Sequence, residues 1–310
     1  MKILIVGSGN VKEFNLQLHH AFVFEQIESI KQLFNIEYDT YDIKGKGFTG
    51  YLMNLPGLRK KIKSFKPDIV HAHFGLSGLL SILQRNVPVV ITFHGSDINS
   101  EKIRPLSAFA ARFSNYNIFV SEKILKNVKV NSESIVIPCG IDLNMFYPID
   151  MRSAREKLNM DLGKKYILFC SNFDRTEKNS ALALSAVKKI KMNIELLELK
   201  NKNREEVNLL LNACNLLLLT SFSEGSPQVI KEAMACNCPI VATDVGDIKD
   251  VIDGTKGCYI TSFDPEDVVE KINHALKFDC RTNGREQIKH FDNKLISAKV
   301  YEVYKHIVEE

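Results

Sequence analysis

The 310-residue sequence lacks long hydrophobic runs, Cys-x-x-Cys pairs and internal repeats, and these absences exclude several classes of protein. Its apolar runs, such as Leu216–Leu219, are far shorter than the roughly 20 residues that cross a bilayer. Residues 1–7 lack the apolar region and cleavage site of a signal peptide, so we expect a soluble, cytoplasmic protein. Seven cysteines without metal-ligand spacing predict free thiols in a reducing compartment.

Composition and charge are those of an ordinary globular protein. Hydrophobic residues make up 45% and charged residues 25% of the chain, which excludes a disordered or fibrous protein. The formal net charge of +4 is too small for a dedicated nucleic-acid binder, so no nucleic-acid partner is expected. At roughly 100–200 residues per domain, the length predicts two domains.

Short β-branched runs alternate with amphipathic stretches along the whole chain. The pattern starts at Lys2–Val6, stops near Pro138–Asp142 and resumes at Tyr166–Cys170. This alternation predicts an α/β protein with parallel sheets covered by helices on both faces. Ligands of such sheets bind beyond the carboxyl ends of the strands, where polar loops follow the apolar runs.

We therefore predict two doubly wound, Rossmann-like domains facing across a cleft. The first covers residues 1–145 and the second covers residues 146–293. Residues 294–310 carry apolar side chains at helical spacing and are expected to form a terminal helix that packs back on the first domain.

A glycine-containing turn follows the first predicted strand. Gly7-Ser8-Gly9 precedes Asn10, so the third glycine of a dinucleotide-binding fingerprint is missing. Two interpretations stay open here: Gly9 lets the backbone approach a donor phosphate closely, or it only allows a tight turn.

Residues 215–247 carry most of the functional information. They read NLLLLTSFSEGSPQVIKEAMACNCPIVATDVGD, which predicts a buried strand, a polar loop, a helix and a second strand. The loop holds Glu224, Gly225 and Ser226, and Pro227 suits the first helical turn because its missing N–H costs little there. Glu232 follows on the helix.

This arrangement suits a ligand with hydroxyl groups at both ends and phosphates between them. Glu224 and Glu232 are expected to lie about 8–12 Å apart, and carboxylates accept strongly from sugar hydroxyls. The N–H groups at the helix start, near Gly225–Pro227, suit a phosphate. Such a ligand is a nucleotide sugar, although a turn glutamate and a helical glutamate are also common as solvated surface charges.

The same segment resembles the signature of family 4 glycosyltransferases, retaining enzymes of the GT-B fold. Glu224 and Glu232 meet the E-x7-E pattern of that family, and the resemblance is looser at His71-Ala72-His73 and Thr92–Asp97. It implies that Glu224 holds the hydroxyls of the donor sugar and that Glu232 holds the ribose. It also implies that His94 lies near the sugar and the acceptor, with acid/base help or hydrogen bonding as its task.

The loop after Tyr166–Cys170 supplies the expected cation. A leaving diphosphate needs a positive countercharge, and Lys178 matches the lysine that the family directs at the diphosphate. Asn172 stands where the family has an arginine, so Arg175 or another group would have to replace it.

A basic stretch covers residues 58–66. It contains five cations without an acid, namely Arg59, Lys60, Lys61, Lys63 and Lys66. A basic amphipathic helix of this kind binds an anionic membrane surface or forms a solvated helix face, and both interpretations stay open.

The sequence thus predicts a retaining glycosyltransferase that uses a nucleotide-diphosphate sugar and a glycan or lipid-linked acceptor. The resemblance implies a place in cell-surface polysaccharide or lipopolysaccharide biosynthesis. The membrane interpretation of the basic stretch would put the protein at the inner face of the cell membrane. No Asp-x-Asp motif occurs, so neither a metal nor a cofactor is expected. One alternative is a sugar-nucleotide epimerase or phosphorylase of the same fold. The other is a non-catalytic sugar-nucleotide-binding subunit, which is suggested by Asn172 at the position of the expected arginine.

Overall fold

Two all-parallel sheets organise the computed structural model, which describes residues 1–128, 130 and 132–309. The chain divides into two compact units. Unit 1 holds residues 1–140 and 293–310, and unit 2 holds residues 141–292. The division differs from the predicted boundaries by a few residues, because Ile141 belongs to the hydrophobic core of unit 2 and Leu143 and Met145 pack against that core. Glu310, the end of the predicted terminal helix, lies outside the described residues.

Unit 1 contains a six-stranded sheet in the order β2-β1-β3-β4-β5-β6. The strands β3 and β4 are buried on both faces, as expected of central parallel strands that are covered by helices. The strands are β1 (Lys2–Ser8), β2 (Glu37–Ile43), β3 (Ile69–His73), β4 (Val89–Phe93), β5 (Tyr116–Phe119) and β6 (Ser134–Val136). The helices between them are α1 (Leu16–His19), α2 (Ala21–Phe34), α3 (Gly47–Leu52), α4 (Leu55–Phe65), α5 (Gly75–Ile82), α6 (Ser96–Asn99), α7 (Arg104–Phe113) and α8 (Glu122–Lys126).

Unit 2 contains a five-stranded sheet in the order β11-β10-β9-β7-β8. Its strands are β7 (Lys165–Phe169), β8 (Ile194–Glu198), β9 (Leu216–Leu219), β10 (Ile240–Thr243) and β11 (Cys258–Thr261). Its helices are α9 (Met151–Lys157), α10 (Ser180–Lys189), α11 (Arg204–Ala213), α12 (Gln228–Ala235), α13 (Ile248–Ile252), α14 (Pro265–Phe278) and α15 (Gly284–Gln287).

The last helix, α16 (Asn293–Glu309), belongs to unit 1. Its apolar side chains Ile296, Val300 and Val303 share a hydrophobic cluster with the β1 residues Ile3 and Ile5. The hydrophobic stripe read from the sequence is therefore the face that covers the first sheet.

Strand order places a switch point in each sheet. In unit 2 the chain runs from β7 outward to β8 and then returns to β9 on the other side of β7. In unit 1 the same reversal lies between β1 and β3. At such a reversal, the loops that follow the two neighbouring strands run in opposite directions. They leave room for a ligand at the carboxyl edge of the sheet.

Candidate active site

The loops after β7 and β9 meet at the switch point of unit 2. All four residues of β9 are buried. Thr220 follows the strand, and its hydroxyl donates to the carbonyl of Asn179 at 2.9 Å. The N–H of Phe222 donates to the carbonyl of Glu177 at 3.0 Å. These bonds hold the loop that carries Glu224 against the loop that carries Lys178.

Lys178 and Glu224 form an ion pair in this position. Lys178 Nζ lies 2.6 Å from Glu224 Oε1, and the side chains are only 15% and 12% exposed. Lys178 ends a short 3₁₀ turn, Thr176–Lys178, and Asn179 reverses the chain with a left-handed φ of 53°. The structure therefore brings together the carboxylate and the cation that the sequence predicted for the sugar and the diphosphate.

Glu232 is paired with an arginine that the sequence analysis did not single out. Its side chain is 5% exposed and forms a short ion pair with Arg204, the first residue of α11. The Arg204 guanidinium also lies 4.5 Å from the centroid of the Phe146 ring. The signal that locates Arg204 is the capping box of Asn203 and Glu206, which sets the start of α11 at the carboxyl edge of the sheet.

Ser226 belongs to a buried polar network with a second residue that the sequence analysis missed. Lys231 is fully buried, and its Nζ donates to Ser226 Oγ at 2.7 Å. The Ser226 hydroxyl donates to Asp247 Oδ2 at 2.5 Å, and burial raises the pKa of Asp247. The network ties the loop after β9 to the loop after β10. Pro227 caps α12, one residue before the first helical position.

The loops around Gly225 also pack closely. Gly246 has a left-handed φ of 61°, and a Cβ built on it would lie 2.5 Å from the carbonyl oxygen of Gly225. Only glycine at this position lets the two loops approach each other so closely.

Asn172 is half-buried and Arg175 is exposed in the loop after β7. Asn172 Oδ1 accepts the N–H of Asp174 at 3.1 Å. The Arg175 guanidinium is paired with Glu177, and both side chains are about half exposed. Among residues 1–128, 130 and 132–309, the ion pair found for Arg175 is this local one, so the structure does not join it to Lys178 and Glu224.

His71, His73 and His94 lie next to one another at the ends of β3 and β4, where each ring takes part in hydrogen bonds. His94 Nε2 lies 3.0 Å from His73 Nδ1, and His94 Nδ1 lies 3.8 Å from Cys139 Sγ. His71 bonds the hydroxyls of Tyr304 and Thr92 at 2.5 and 2.7 Å. Both ring nitrogens of His94 thus have internal partners.

Burial keeps these imidazoles neutral. It lowers the pKa of His71 and of His94 to about 3, and it lowers the pKa of His73 well below the ordinary value. The described part of the chain contains no group of three or more His, Cys, Asp or Glu side chains that could hold a metal ion.

Packing is sufficient to explain the glycine at position 9. A Cβ on this residue would lie 2.8 Å from the Cβ of Asp42, and the Gly9 N–H donates to the carbonyl of Ile43 at 2.8 Å. The turn after β1 therefore explains the glycine, and the predicted role of Gly9 at a phosphate stays a prediction.

The basic stretch forms the helix α4. Leu58 and Ile62 face the core, and Lys60 and Lys63 are exposed. Two of the five cations interact with other groups of the protein. Lys61 forms a short ion pair with Asp39, and the Arg59 guanidinium donates to the carbonyl of Leu83. Lys66 is exposed and ends the helix with a left-handed φ of 53°. Among the helices that the structure describes, none combines the length and the apolarity that a bilayer crossing requires.

Two protein-family models match the chain. Glycosyltransferase Family 4 matches residues 33–145, and Glycosyl transferases group 1 matches residues 193–277. An uncharacterized glycosyltransferase of Methanocaldococcus jannaschii is 29% identical over 303 residues, with 84% of this chain and 83% of that protein covered.

Two further relatives carry more specific names. TuaC of Bacillus subtilis, named for teichuronic acid biosynthesis, is 27% identical and covers 61% of this chain. The N,N'-diacetylbacillosaminyl-diphospho-undecaprenol alpha-1,3-N-acetylgalactosaminyltransferase of Campylobacter jejuni is 22% identical and covers 66%. The chain spans 56% and 64% of the lengths of these two proteins.

Solved structures with the same fold cover nearly the whole chain. Sucrose-phosphate synthase from Thermosynechococcus elongatus superposes with a TM-score of 0.84 at 16% identity, and 99% of each chain is covered. Anabaena HepE in complex with UDP-glucose superposes with a TM-score of 0.77 at 15% identity, with coverages of 99% and 100%.

The two parallel α/β units and these neighbours define a GT-B fold, which confirms the predicted fold class. The matching family models and relatives confirm the resemblance: the chain is a glycosyltransferase of the family 4 type. The individual roles of Glu224, Lys178, Glu232 and His94 stay predictions.

Proposed function

We propose that the chain is a retaining glycosyltransferase that moves a sugar from a nucleotide-diphosphate sugar to a glycan or lipid-linked acceptor. The observation that carries this proposal is the Lys178–Glu224 pair at the switch point of unit 2. A carboxylate accepts from sugar hydroxyls and an ammonium neutralises a phosphate, so one sugar phosphate satisfies both side chains.

When the donor binds, Lys178 and Glu224 give up their contact with each other and contact groups of the donor. The diphosphate oxygens accept from Lys178, and hydroxyls of the transferred sugar donate to Glu224. At the other end of the donor, the ribose hydroxyls donate to Glu232, which Arg204 holds in place. The stabilised diphosphate is a better leaving group, because its developing charge lies beside a fixed cation.

The acceptor oxygen bonds the anomeric carbon on the face from which the diphosphate leaves. The C–O bond to the diphosphate breaks, and the acceptor proton passes to the departing phosphate oxygen. This route retains the configuration of the sugar and needs no enzymic nucleophile. The proposal also needs no metal and no cofactor.

The relatives support a setting for this reaction. TuaC is named for teichuronic acid biosynthesis, and the name of the Campylobacter relative contains a diphospho-undecaprenol acceptor. HepE has been solved with UDP-glucose. We therefore propose cell-surface polysaccharide biosynthesis, with UDP-sugars as the first donors to test and a lipid-linked glycan as the acceptor.

A donor screen tests the proposal directly. A matching UDP-, GDP- or ADP-sugar at a hundredfold excess over its Kd should stabilise the fold by about 2.7 kcal/mol. That gain should raise Tm by roughly 5–10 °C. With acceptor present, proton NMR of the product should show the anomeric configuration of the donor, and turnover should survive a chelator.

Other results would replace the proposal. An inverted anomeric centre or strict dependence on a divalent metal would contradict the mechanism. Turnover of the donor without any acceptor would favour the epimerase. Stabilisation by a donor without turnover, across the acceptors tested, would favour a non-catalytic binding subunit, the alternative suggested by Asn172.

We also propose that α4 binds the anionic inner face of the cell membrane through Lys60, Lys63 and Lys66. Met53, 82% exposed just before α4, provides an apolar anchor at the start of the helix. Each cation near an anionic surface contributes about 1 kcal/mol. Lys60→Gln with Lys63→Gln should therefore weaken binding to phosphatidylglycerol vesicles by roughly 30-fold, measured by co-sedimentation.

The matched control for this experiment is Lys123→Gln with Lys126→Gln, which removes two exposed cations from α8 of the same unit. This variant should bind the vesicles as the unmodified protein does. Equal weakening in both variants would show that vesicle binding depends only on the net charge of the protein. Unchanged binding in the α4 variant would contradict the membrane proposal.

A further inference from the structure

Phe74 has a backbone conformation that is almost restricted to glycine. Its φ is 72° and its ψ is 148°, although the residue is bulky. A side chain crowds the backbone in this region, so the position is strained. It lies directly after β3, at the switch point of the unit 1 sheet. Backbone strain of this kind clusters at functional sites.

Three hydrogen bonds of the main chain hold the strained conformation. The Phe74 N–H donates to the carbonyl of Thr92, and the Phe74 carbonyl accepts the N–H of Gly78, both at 2.9 Å. The N–H of Gly75 donates to Asp97 Oδ2 at 2.9 Å. Because the neighbouring residues are fixed in this way, Phe74 cannot relax to an ordinary extended conformation without breaking hydrogen bonds.

Asp97 ties the start of α5 to the loop after β4. Its buried carboxylate accepts from Gly75, the first residue of α5, and from Gly95, in the loop after β4, where Gly95 N lies 2.9 Å from Oδ1. One carboxylate thus sets the position of Phe74 relative to His94, which directly precedes Gly95.

The strained backbone places the Phe74 ring against His94. The ring centroids lie 4.6 Å apart, and Phe22 contacts the same imidazole at a centroid distance of 4.9 Å. With its nitrogens held by His73 and Cys139, the His94 ring is restrained on its faces and at its edges. Side chains restrained in this way lose little freedom when a ligand binds.

We propose that Phe74 and Asp97 are positioning residues: Asp97 fixes the strained turn, and the turn holds the Phe74 ring against His94 so that His94 keeps one orientation. The inference rests on the proposed function and on the position near the transferred sugar and the acceptor that the family resemblance implies for His94. A catalytic group displaced by about 1 Å costs up to 100-fold in rate, so the effect falls on turnover more than on donor binding.

The test compares two substitutions of one residue. Phe74→Ala removes the ring and keeps a Cβ in the strained conformation, whereas Phe74→Gly removes both the ring and the strain. Both variants should lower kcat at least tenfold and change the donor KM less than threefold. F74G should melt roughly 2–4 °C above F74A, since glycine tolerates this conformation. F74G also serves as the active-site test if F74A does not fold.

Phe113→Ala is the matched control, because it removes another phenyl ring of unit 1, from the exposed end of α7. F113A should keep the turnover of the unmodified protein. Unchanged kcat in F74A would contradict the positioning role of Phe74. Equal melting temperatures of F74A and F74G would contradict the inference that the backbone is strained at this position.

Two readouts need no substrate and separate this inference from the proposed function. The imidazole ¹⁵N resonances of His94 should shift in F74A and stay in place in F113A, and the Tm difference between F74A and F74G should be present. If the unmodified protein transfers no sugar, the proposed function fails, while these readouts still decide whether Phe74 restrains His94.

Discussion

Replacing Glu224 by glutamine is expected to lower sugar transfer by about 10²- to 10³-fold while unit 2 stays folded. Glutamine keeps the shape of the side chain and removes the negative charge that accepts from the sugar hydroxyls. The loss of one preorganised electrostatic contact typically costs about 2.7–4 kcal/mol of transition-state stabilisation. Initial rates at saturating donor and acceptor measure the effect, and circular dichroism verifies the fold.

The matched control for E224Q is Glu177→Gln. Glu177 lies in the neighbouring loop, is about half exposed and pairs with Arg175 on the surface. Its substitution should change turnover less than threefold. Retained turnover in E224Q would contradict the mechanism at its centre, because no other carboxylate is assigned to the transferred sugar.

Replacing Lys178 by methionine is expected to lower kcat by a similar factor, about 10²- to 10³-fold. The substitution removes the cation beside which the diphosphate leaves, and Asn172 adds no positive charge to this loop. Lys178→Arg keeps the charge and should recover part of kcat. Lys200→Met removes an exposed lysine that pairs with Asp174, and it is the control expected to act as the unmodified protein.

The double variant separates a catalytic pair from a structural one. Each single substitution removes one member of a mostly buried, charged hydrogen bond, which should lower the free energy of unfolding by about 1–3 kcal/mol. K178M with E224L replaces both charges by apolar groups and should recover part of that stability. Transfer should stay as low as in the single variants, because both side chains act in one step.

Recovery of transfer together with stability in this double variant would show that the pair serves only the fold. Loss of stability without any recovery would show that each side chain has a separate structural role. Only recovered transfer would require the assignment of Lys178 and Glu224 to the donor to be abandoned, because a separate structural role does not exclude donor binding.

The periodicity of the chain was sufficient to predict its architecture. The run Lys2–Val6, where the alternation starts, lies within β1 (Lys2–Ser8), and the strand predicted over Tyr166–Cys170 is shifted by one residue, to Lys165–Phe169. Such elements are predictable because apolar side chains must recur with the period of the helix or strand that buries them. The resemblance at Glu224 and Glu232 pointed to the GT-B fold. It too could be found in the sequence, because the E-x7-E pattern involves residues that are close along the chain.

The partners of the predicted site residues were not predictable in this way. Arg204 and Lys231 were overlooked because an arginine at a helix start and a lysine inside a helix are ordinary surface residues by sequence. Only the fold shows that Arg204 pairs with Glu232 and that Lys231 is fully buried against Ser226. Likewise, no sequence pattern indicates that Phe74 occupies a conformation typical of glycine.

The sequence by itself determined the two parallel α/β units, because the alternation of apolar residues in each segment depends only on neighbours along the chain. The tertiary structure decided which charges meet. Lys178 and Glu224 are 46 residues apart, and they become neighbours only because β9 returns to the side of β7 opposite β8. Ion pairs depend on distances in space, and the order of strands in the sheet sets those distances.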